Sequence, residues 1–197
     1  MSEIVSDKAL DILFRQARSH SFWLDKPVSD VTLQALYDLM RYGPTTANSQ
    51  PARLLFLKSK EAKERLRPHL IPTNVEKVMT APVTAIIGYD TRFYEHLPKV
   101  FPHNPAARSW YEGDPEHVER NALRNSSLQG GYLIIAARAL GLDCGPMSGF
   151  DNAGVDREFF PDGRVKSNFL CCLGYGDHSK LFPRNPRFEF DEVCRIL

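Results

Sequence analysis

The order of elements predicts an α+β fold, a small mixed sheet covered by helices with one long central helix. Three observations carry this. Apolar runs at 54–57 (LLFL), 83–89 (VTAIIGY) and 165–176 (VKSNFLCCLGYG) read as strands with buried faces. Asp114-Pro115 opens a stretch at 115–140 that reads as by far the longest helix, and its second half, GGYLIIAARAL, is apolar nearly all round. Helices and strands do not alternate in regular βαβ units, so a doubly wound parallel sheet is not expected.

The first helix is expected over residues 4–18, with Ile4, Leu10, Leu13 and Phe14 at roughly helical spacing. Arg18-Ser19-His20-Ser21 breaks it. PVSD (27–30) starts a second helix, capped by Ser29 or Asp30, with Leu33, Leu36, Tyr37 and Met40 as its buried face. Gly43 can close that helix at positive φ, and Pro44 forbids its continuation. Ser59 caps KEAKERLRPHL, which Pro68 disrupts. Thr73-Asn74-Val75-Glu76 has the capping-box pattern, placing Asn74 in the first turn of another helix. Residues 91–114, rich in Phe, Tyr, Trp and Pro without a clear period, read as an excursion serving as a lid or subunit contact. Gly141 stops the long helix, and LDCGPMSGF (142–150) is a short strand entering a tight turn. Asp151 caps DNAGVDREFF. The tail, FEFDEVCRIL, adds a helix or an edge strand.

With 197 residues, 43% hydrophobic and 25% charged, the chain is long enough for one domain spanning 1–197 with a sizeable core. A net charge of +1 without basic blocks disfavours nucleic acid or a polybasic membrane contact. The acidic N-terminus and the absence of a long apolar run predict a cytoplasmic protein. Cys144, Cys171, Cys172 and Cys194 contain no CxxC and read as buried free thiols, with Cys171 and Cys172 on opposite strand faces. The six histidines show no metal-ligand spacing, and no metal is expected.

Thr45, Thr46, Asn48, Ser49 and Gln50 crowd a loop between the second helix and the first strand. Pro51 favours an extended Gln50. Amides and hydroxyls donate and accept without titrating, so the loop suits a planar, acceptor-rich ligand better than proton transfer. No GxGxxG, P-loop, GxSxG or HExxH occurs. A cofactor is therefore expected to carry any chemistry.

Taken together, Arg18-Ser19 before PVSD, the P-x-x-x-N-x-Q-P loop, TNVEKVMTAP, GLDCGPMSGFD and the strand ending in GYGD resemble the FMN-dependent nitroreductase family. They come in the family's order across nearly the whole chain. RYGPT-x-AN-x-x-PAR, KERLRP, RNSS-x-Q and ARALGLD-x-GPMSGFD look like its malonic semialdehyde reductase branch, of the Rut pyrimidine-degradation pathway. The resemblance implies a nitroreductase-like homodimer with FMN shared at the subunit interface. NADH or NADPH is the implied electron donor, and a small molecule such as 3-oxopropanoate the substrate. A broad nitro- or quinone reductase and a flavin-binding protein with little turnover are the rivals. The implied FMN contacts are Arg18 and Ser19 at the phosphate, Thr45, Thr46, Asn48 and Gln50 reaching the flavin across the dimer, and Asn74 at the ring edge. Pro146, Met147, Ser148 and Gly149 form the turn against the ring, and Arg184 and Arg187 the basic tail. The chain departs from the family at Ser21, Ala52 and Ser148, where a base, an aromatic and an acid are usual. Gly145 and Gly149 are expected to let backbone approach the ring. Arg108, among Pro105 and Trp110 of the excursion, is the expected contact for a substrate carboxylate.

Overall fold

A computed structural model describes residues 3–197; Met1 and Ser2, the first two residues of the expected domain, lie outside the described residues. The first helix is shorter than its apolar spacing predicts. α1 runs Asp7–Leu10, capped by Ser6, and continues as one π turn, Asp11–Arg15, while Ile4 is exposed. α2 (Asp30–Met40) begins at Ser29, whose hydroxyl accepts from the Thr32 amide at 3.0 Å. Leu33, Leu36 and Met40 are buried as expected, but Tyr37 is exposed. Gly43 is not at positive φ; the space its missing side chain leaves is filled by the Tyr132 ring.

β1 (Ala52–Leu57) leads to α3 (Lys60–Leu66), capped by Ser59 and followed by a 3-10 turn at Arg67–His69. α4 (Pro72–Thr80) starts two residues ahead of the expected capping box, because Pro72 already supplies a helical φ; Ile71 precedes it and Asn74 stays in the first turn. β2 (Val83–Asp90) is buried along its whole length. The excursion is not irregular: it holds 3-10 turns at Phe93–His96 and Pro105–Trp110 around α5 (Leu97–Val100). Phe93, Leu97, Ala107 and Tyr111 pack there with Tyr89, Val118 and Ala122. α6 (Pro115–Ala139) is capped by Asp114 and ends before Gly141 at φ 75°. β3 (Asp143–Met147), α7 (Asn152–Phe159), β4 (Val165–Gly174) and α8 (Phe190–Val193) complete the order. The tail thus forms a helix and no strand, opened by a reciprocal Glu189–Glu192 capping box.

The strands pair in the order β1-β2-β4-β3, and every pair is antiparallel. The sheet is therefore antiparallel rather than mixed; an isolated parallel bridge, Ser19 to Cys144, lies outside the named strands. Alternation along β2 and β4 splits the core into two layers. Ala85, Ile87, Cys171 and Leu173 meet Leu36, Met40, Leu133 and Ala137 of α2 and α6. Ile86, Leu170 and Cys172 meet Leu66 of α3, Val78 of α4 and Val155 of α7. Cys171 and Cys172 do face opposite ways, and burial pushes the Cys172 thiol up to about 11. Cys194, by contrast, is exposed in the tail. No helix among the described residues is long and apolar enough to cross a membrane.

Candidate active site

The polar break after α1 is a strap. It crosses the ends of β3 and β4 through three backbone bonds: His20 N to Cys144 O at 2.9 Å, Leu24 N to Tyr175 O at 2.8 Å and Asp177 N to Phe22 O at 2.9 Å. Trp23 adds an indole bond to Lys77 O at 3.1 Å. Gly145 makes this crossing possible, since a Cβ there would collide with the His20 carbonyl and the Lys77 side chain. Gly149 is crowded in the same way. Their missing side chains make room for the protein's own strap and for Ile71 and Asn74, because those segments already occupy the space.

Between strap and tail lies a cleft of about 530 Å³. Arg18, Ser19, Arg184 and Arg187 line it together, as the sequence predicts. Sequence reading missed three further cations there, Arg15, Arg138 and Lys180. The arginines are held by carbonyls rather than carboxylates. Arg18 donates to Phe182 O, Arg184 Nη2 to Arg15 O at 2.9 Å and Ala17 O at 3.1 Å, and Arg138 Nη1 to Leu13 O at 2.8 Å. Arg15 is the exception, paired with Asp7 and Asp11. Arg138 Nε is buried with no partner among the described residues. Cations bonded only to carbonyls keep their full charge for an anion, and guanidinium forks match phosphate oxygens. His20 borders the same cleft, and burial pushes its imidazole pKa down against the opposing charge of Asp143.

At the far end of β3 a second group forms. Asn74 Nδ2 donates to Gly149 O at 3.0 Å, so Asn74 braces the turn that contains Ser148. Lys77, one helical turn along α4, reaches Pro146 O only at 3.4 Å. Burial lowers the Lys77 pKa, and no carboxylate offsets that loss. A half-buried ammonium without an acid is a donor held ready for an electron-rich ligand atom. Its signal was the one-turn spacing Asn74–Lys77 on a short amphipathic helix.

The polar loop is elsewhere. Thr45, Thr46, Asn48 and Gln50 stand at the N-terminal side of β1, where Ser49 and Gln50 border a separate cavity with Tyr37, Arg53 and Gln129. Ala47, Asn48 and Gln50 adopt φ of 50°, 48° and 43°, so Gln50 is left-handed and not extended as Pro51 implied. Thr45 Oγ1 accepts from Gln50 N at 3.2 Å, which stabilises that bend. Asn48 Nδ2 donates to Val100 O at 2.7 Å and ties the loop to the excursion. Strained backbone of this kind persists at ligand sites because the surroundings over-determine it. Arg108 lines neither cleft; its Nε donates to Glu112 at 2.8 Å. The fold also gathers His20, Asp143 and His178, distant in sequence, into one cluster.

A cationic, carbonyl-held cleft at the edge of an antiparallel α+β sheet is suited to a phosphate-bearing anion. The profile of the nitroreductase family matches residues 14–175, and the chain belongs to that family. It is 61% identical over 188 residues to a protein of Ralstonia nicotianae that carries the name NADH dehydrogenase/NAD(P)H nitroreductase, covering 95% of this chain and 96% of the relative. A namesake from Rhodopseudomonas palustris is 57% identical over 197 residues, 100% of both chains. The fold is that of a nitroreductase from Exiguobacterium sibiricum solved in complex with FMN, with TM-score 0.87, 19% identity and full coverage of both chains.

Proposed function

We propose that this chain is a cytoplasmic, homodimeric FMN enzyme that takes electrons from NADH or NADPH and reduces 3-oxopropanoate to 3-hydroxypropanoate. The observation that carries the flavin is the cleft where Arg18, Arg138, Arg184 and Arg187 have no carboxylate partner. The buried, unpartnered Arg138 Nε fits an anionic ligand better than solvent. Relatives named for NAD(P)H and a structural relative bound to FMN support the same reading.

FMN supplies hydride acceptance from the nicotinamide and hydride donation to the substrate. Arg18, Ser19, Arg184 and Arg187 would hold its phosphate. Asn74 and Lys77 stand beside the 146–149 turn as donors for the polar edge of the ring. Lys77 would place a positive charge beside that edge of the ring. The loop carrying Thr45, Thr46, Asn48 and Gln50 reaches a different cavity of the same chain through Ser49 and Gln50, as a site completed by a second copy requires. Apolar Tyr37, Leu39, Tyr42, Leu123, Leu128 and Tyr132 are exposed on α2, α6 and the loop between α2 and β1, and they supply the surface for that copy. The excursion is then a lid, and Arg108 the contact for the substrate carboxylate. The aldehyde carbon receives a hydride and its oxygen a proton from water.

The 3-oxopropanoate assignment rests on the motif resemblance of the branch. A broad nitro- or quinone reductase is the second reading, favoured by the relatives' names. One experiment separates them. Purified protein should be yellow, bleach with NADH or NADPH under nitrogen, and regain colour with 3-oxopropanoate much faster than with a nitroarene. The reverse order supports the broad reductase. A protein that never bleaches removes both.

A further inference from the structure

His20 is 1% exposed, and its Nε2 has no hydrogen-bond partner among the described residues. An imidazole nitrogen taken from water and left unpaired is unfavourable, so a native structure that keeps one calls for a missing partner. Nε2 faces Asp143 Oδ1 at 3.4 Å, beyond the usual N–H to O range. The other oxygen, Asp143 Oδ2, is 3.8 Å from Nε2 of His178. The two rings meet edge-on with centroids 4.9 Å apart. One ligand atom from each of the three residues lies within 4.8 Å of the others.

Two ligands about 2.1 Å from a common tetrahedral metal stand about 3.4 Å from each other. A direct charge-assisted bond would instead close to about 2.8 Å. The geometry points to a divalent first-row metal site, best matched by zinc, formed by His20 Nε2, Asp143 and His178 Nε2. Two imidazoles and a carboxylate are borderline ligands suited to zinc, cobalt or nickel and unsuited to magnesium or calcium. The buried, unpartnered His20 nitrogen and the convergence of three residues are independent observations.

The surroundings preform the site. The Gly176 amide donates to Asp143 Oδ2 at 2.9 Å and orients the carboxylate, the kind of outer bond that metal ligands use. Gly176 also has to lack a side chain, because a Cβ would overlap the His20 ring. His20 is fixed by its amide bond to Cys144 O, and the segment leading to His178 by the Asp177 amide bond to Phe22 O, both 2.9 Å. His178 is the exposed ligand and opens the entry path. The ligands come from the strap, the start of β3 and the loop after β4. A bound ion therefore staples the floor of the cationic cleft and adds positive charge beside it. This goes beyond the flavin reading and does not depend on it.

The test uses tag-free protein stripped with chelator, with and without added FMN, titrated with cobalt(II) and then zinc(II). One equivalent of cobalt per chain should give visible d–d absorption of a low-coordinate nitrogen–oxygen site, and zinc should abolish it. Zinc should raise the unfolding temperature. His178→Ala removes an exposed ligand outside the flavin-holding set. It should weaken cobalt binding at least about tenfold and cancel the zinc-dependent temperature shift, with unchanged circular dichroism and flavin absorbance. No saturable binding up to about 100 μM metal, or equal binding by wild type and His178→Ala, overturns the site. Loss of flavin colour alone speaks only to the flavin reading, because metal stoichiometry is read separately.

Discussion

The Thr46 amide donates to Asn125 Oδ1 at 2.8 Å, and this bond pins the polar loop to the long helix. Asn125 is buried, with its own Nδ2 engaged by Asn121 O at 2.8 Å. The loop needs restraint, since three consecutive or near-consecutive left-handed residues each cost about 1–3 kcal/mol. Asn125→Ala leaves the Thr46 amide without its acceptor. Stability should fall by about 1–3 kcal/mol and flavin affinity should drop with it, checked by urea unfolding and flavin fluorescence titration. A lower stability with unchanged affinity would show that the loop keeps its shape without the anchor.

Arg18 donates to the carbonyl of Phe182, an exposed residue of the tail. It thus joins the strap to the tail while keeping its charge. Arg18→Ala should weaken FMN binding by about ten- to a hundredfold, the equivalent of 1.5–3 kcal/mol for a contact with a charged group. The rate at saturating flavin should change far less. An unaltered flavin dissociation constant would reduce Arg18 to a tail contact.

The separation of the 45–50 loop from the cationic cleft makes subunit exchange informative. The native protein should sediment as a dimer of 22.4 kDa chains at micromolar concentration. At flavin concentrations too low to load Arg18→Ala, mixing it with Gln50→Ala should recover activity that neither variant shows there alone, because a mixed dimer contains one intact shared site. A monomer in sedimentation, or mixing without recovery, would remove the shared site.

How much of this was legible in the sequence depended on range. Ser29, Ser59 and Asp114 act on amides three residues away, and Gly141 stops its own helix, so local chemistry located these ends. The strands could be read from their apolar runs, but their antiparallel pairing could not, because short apolar runs do not encode partners. Part of the cationic cleft was legible because Arg18, Arg184 and Arg187 sit in recognisable segments. Arg138 was hidden in a helix read for its apolar content, and Lys77 behind Asn74. The His20–Asp143–His178 cluster was invisible to spacing rules, since only folding joins the strap, β3 and the loop after β4.

Asp90 anchors the root of the excursion. It is 1% exposed and accepts from Arg53 Nη2 at 2.6 Å, Arg164 Nε at 3.0 Å and the Arg92 amide at 2.8 Å. Burial alone would push its carboxyl up, but the bonds from Arg164 and the Arg92 amide outweigh it and hold the pKa below the ordinary 3.8. A depressed folded pKa stabilises fully above the unfolded value and is lost as pH falls through the folded one. Stability should therefore be level in Asp90 terms from neutral pH to about 5 and decline below about 4. Asp90→Asn should cost about 3 kcal/mol at neutral pH and flatten part of the acid decline. Urea midpoints at both pH values check it; an unchanged acid decline would assign that decline to other carboxylates.

The last question is how a small acid is gripped. Arg108 is held by Glu112 at 2.8 Å, four residues along the same exposed segment. An exposed pair at that spacing is worth only about 0.3–0.5 kcal/mol. A substrate carboxylate sealed beneath a closing lid can displace it, since a charge-assisted contact there is worth about 1.5–3 kcal/mol. On the proposed reading the pair is a rest position from which Arg108 can leave. Arg108→Gln should lower kcat/KM for 3-oxopropanoate about tenfold or more and leave the rate on an uncharged nitroarene intact. Glu112→Gln frees the same guanidinium and should not lower it. Equal loss on both substrates in Arg108→Gln would mean that Arg108 supports the lid or the flavin, and no loss would place the carboxylate contact on another residue.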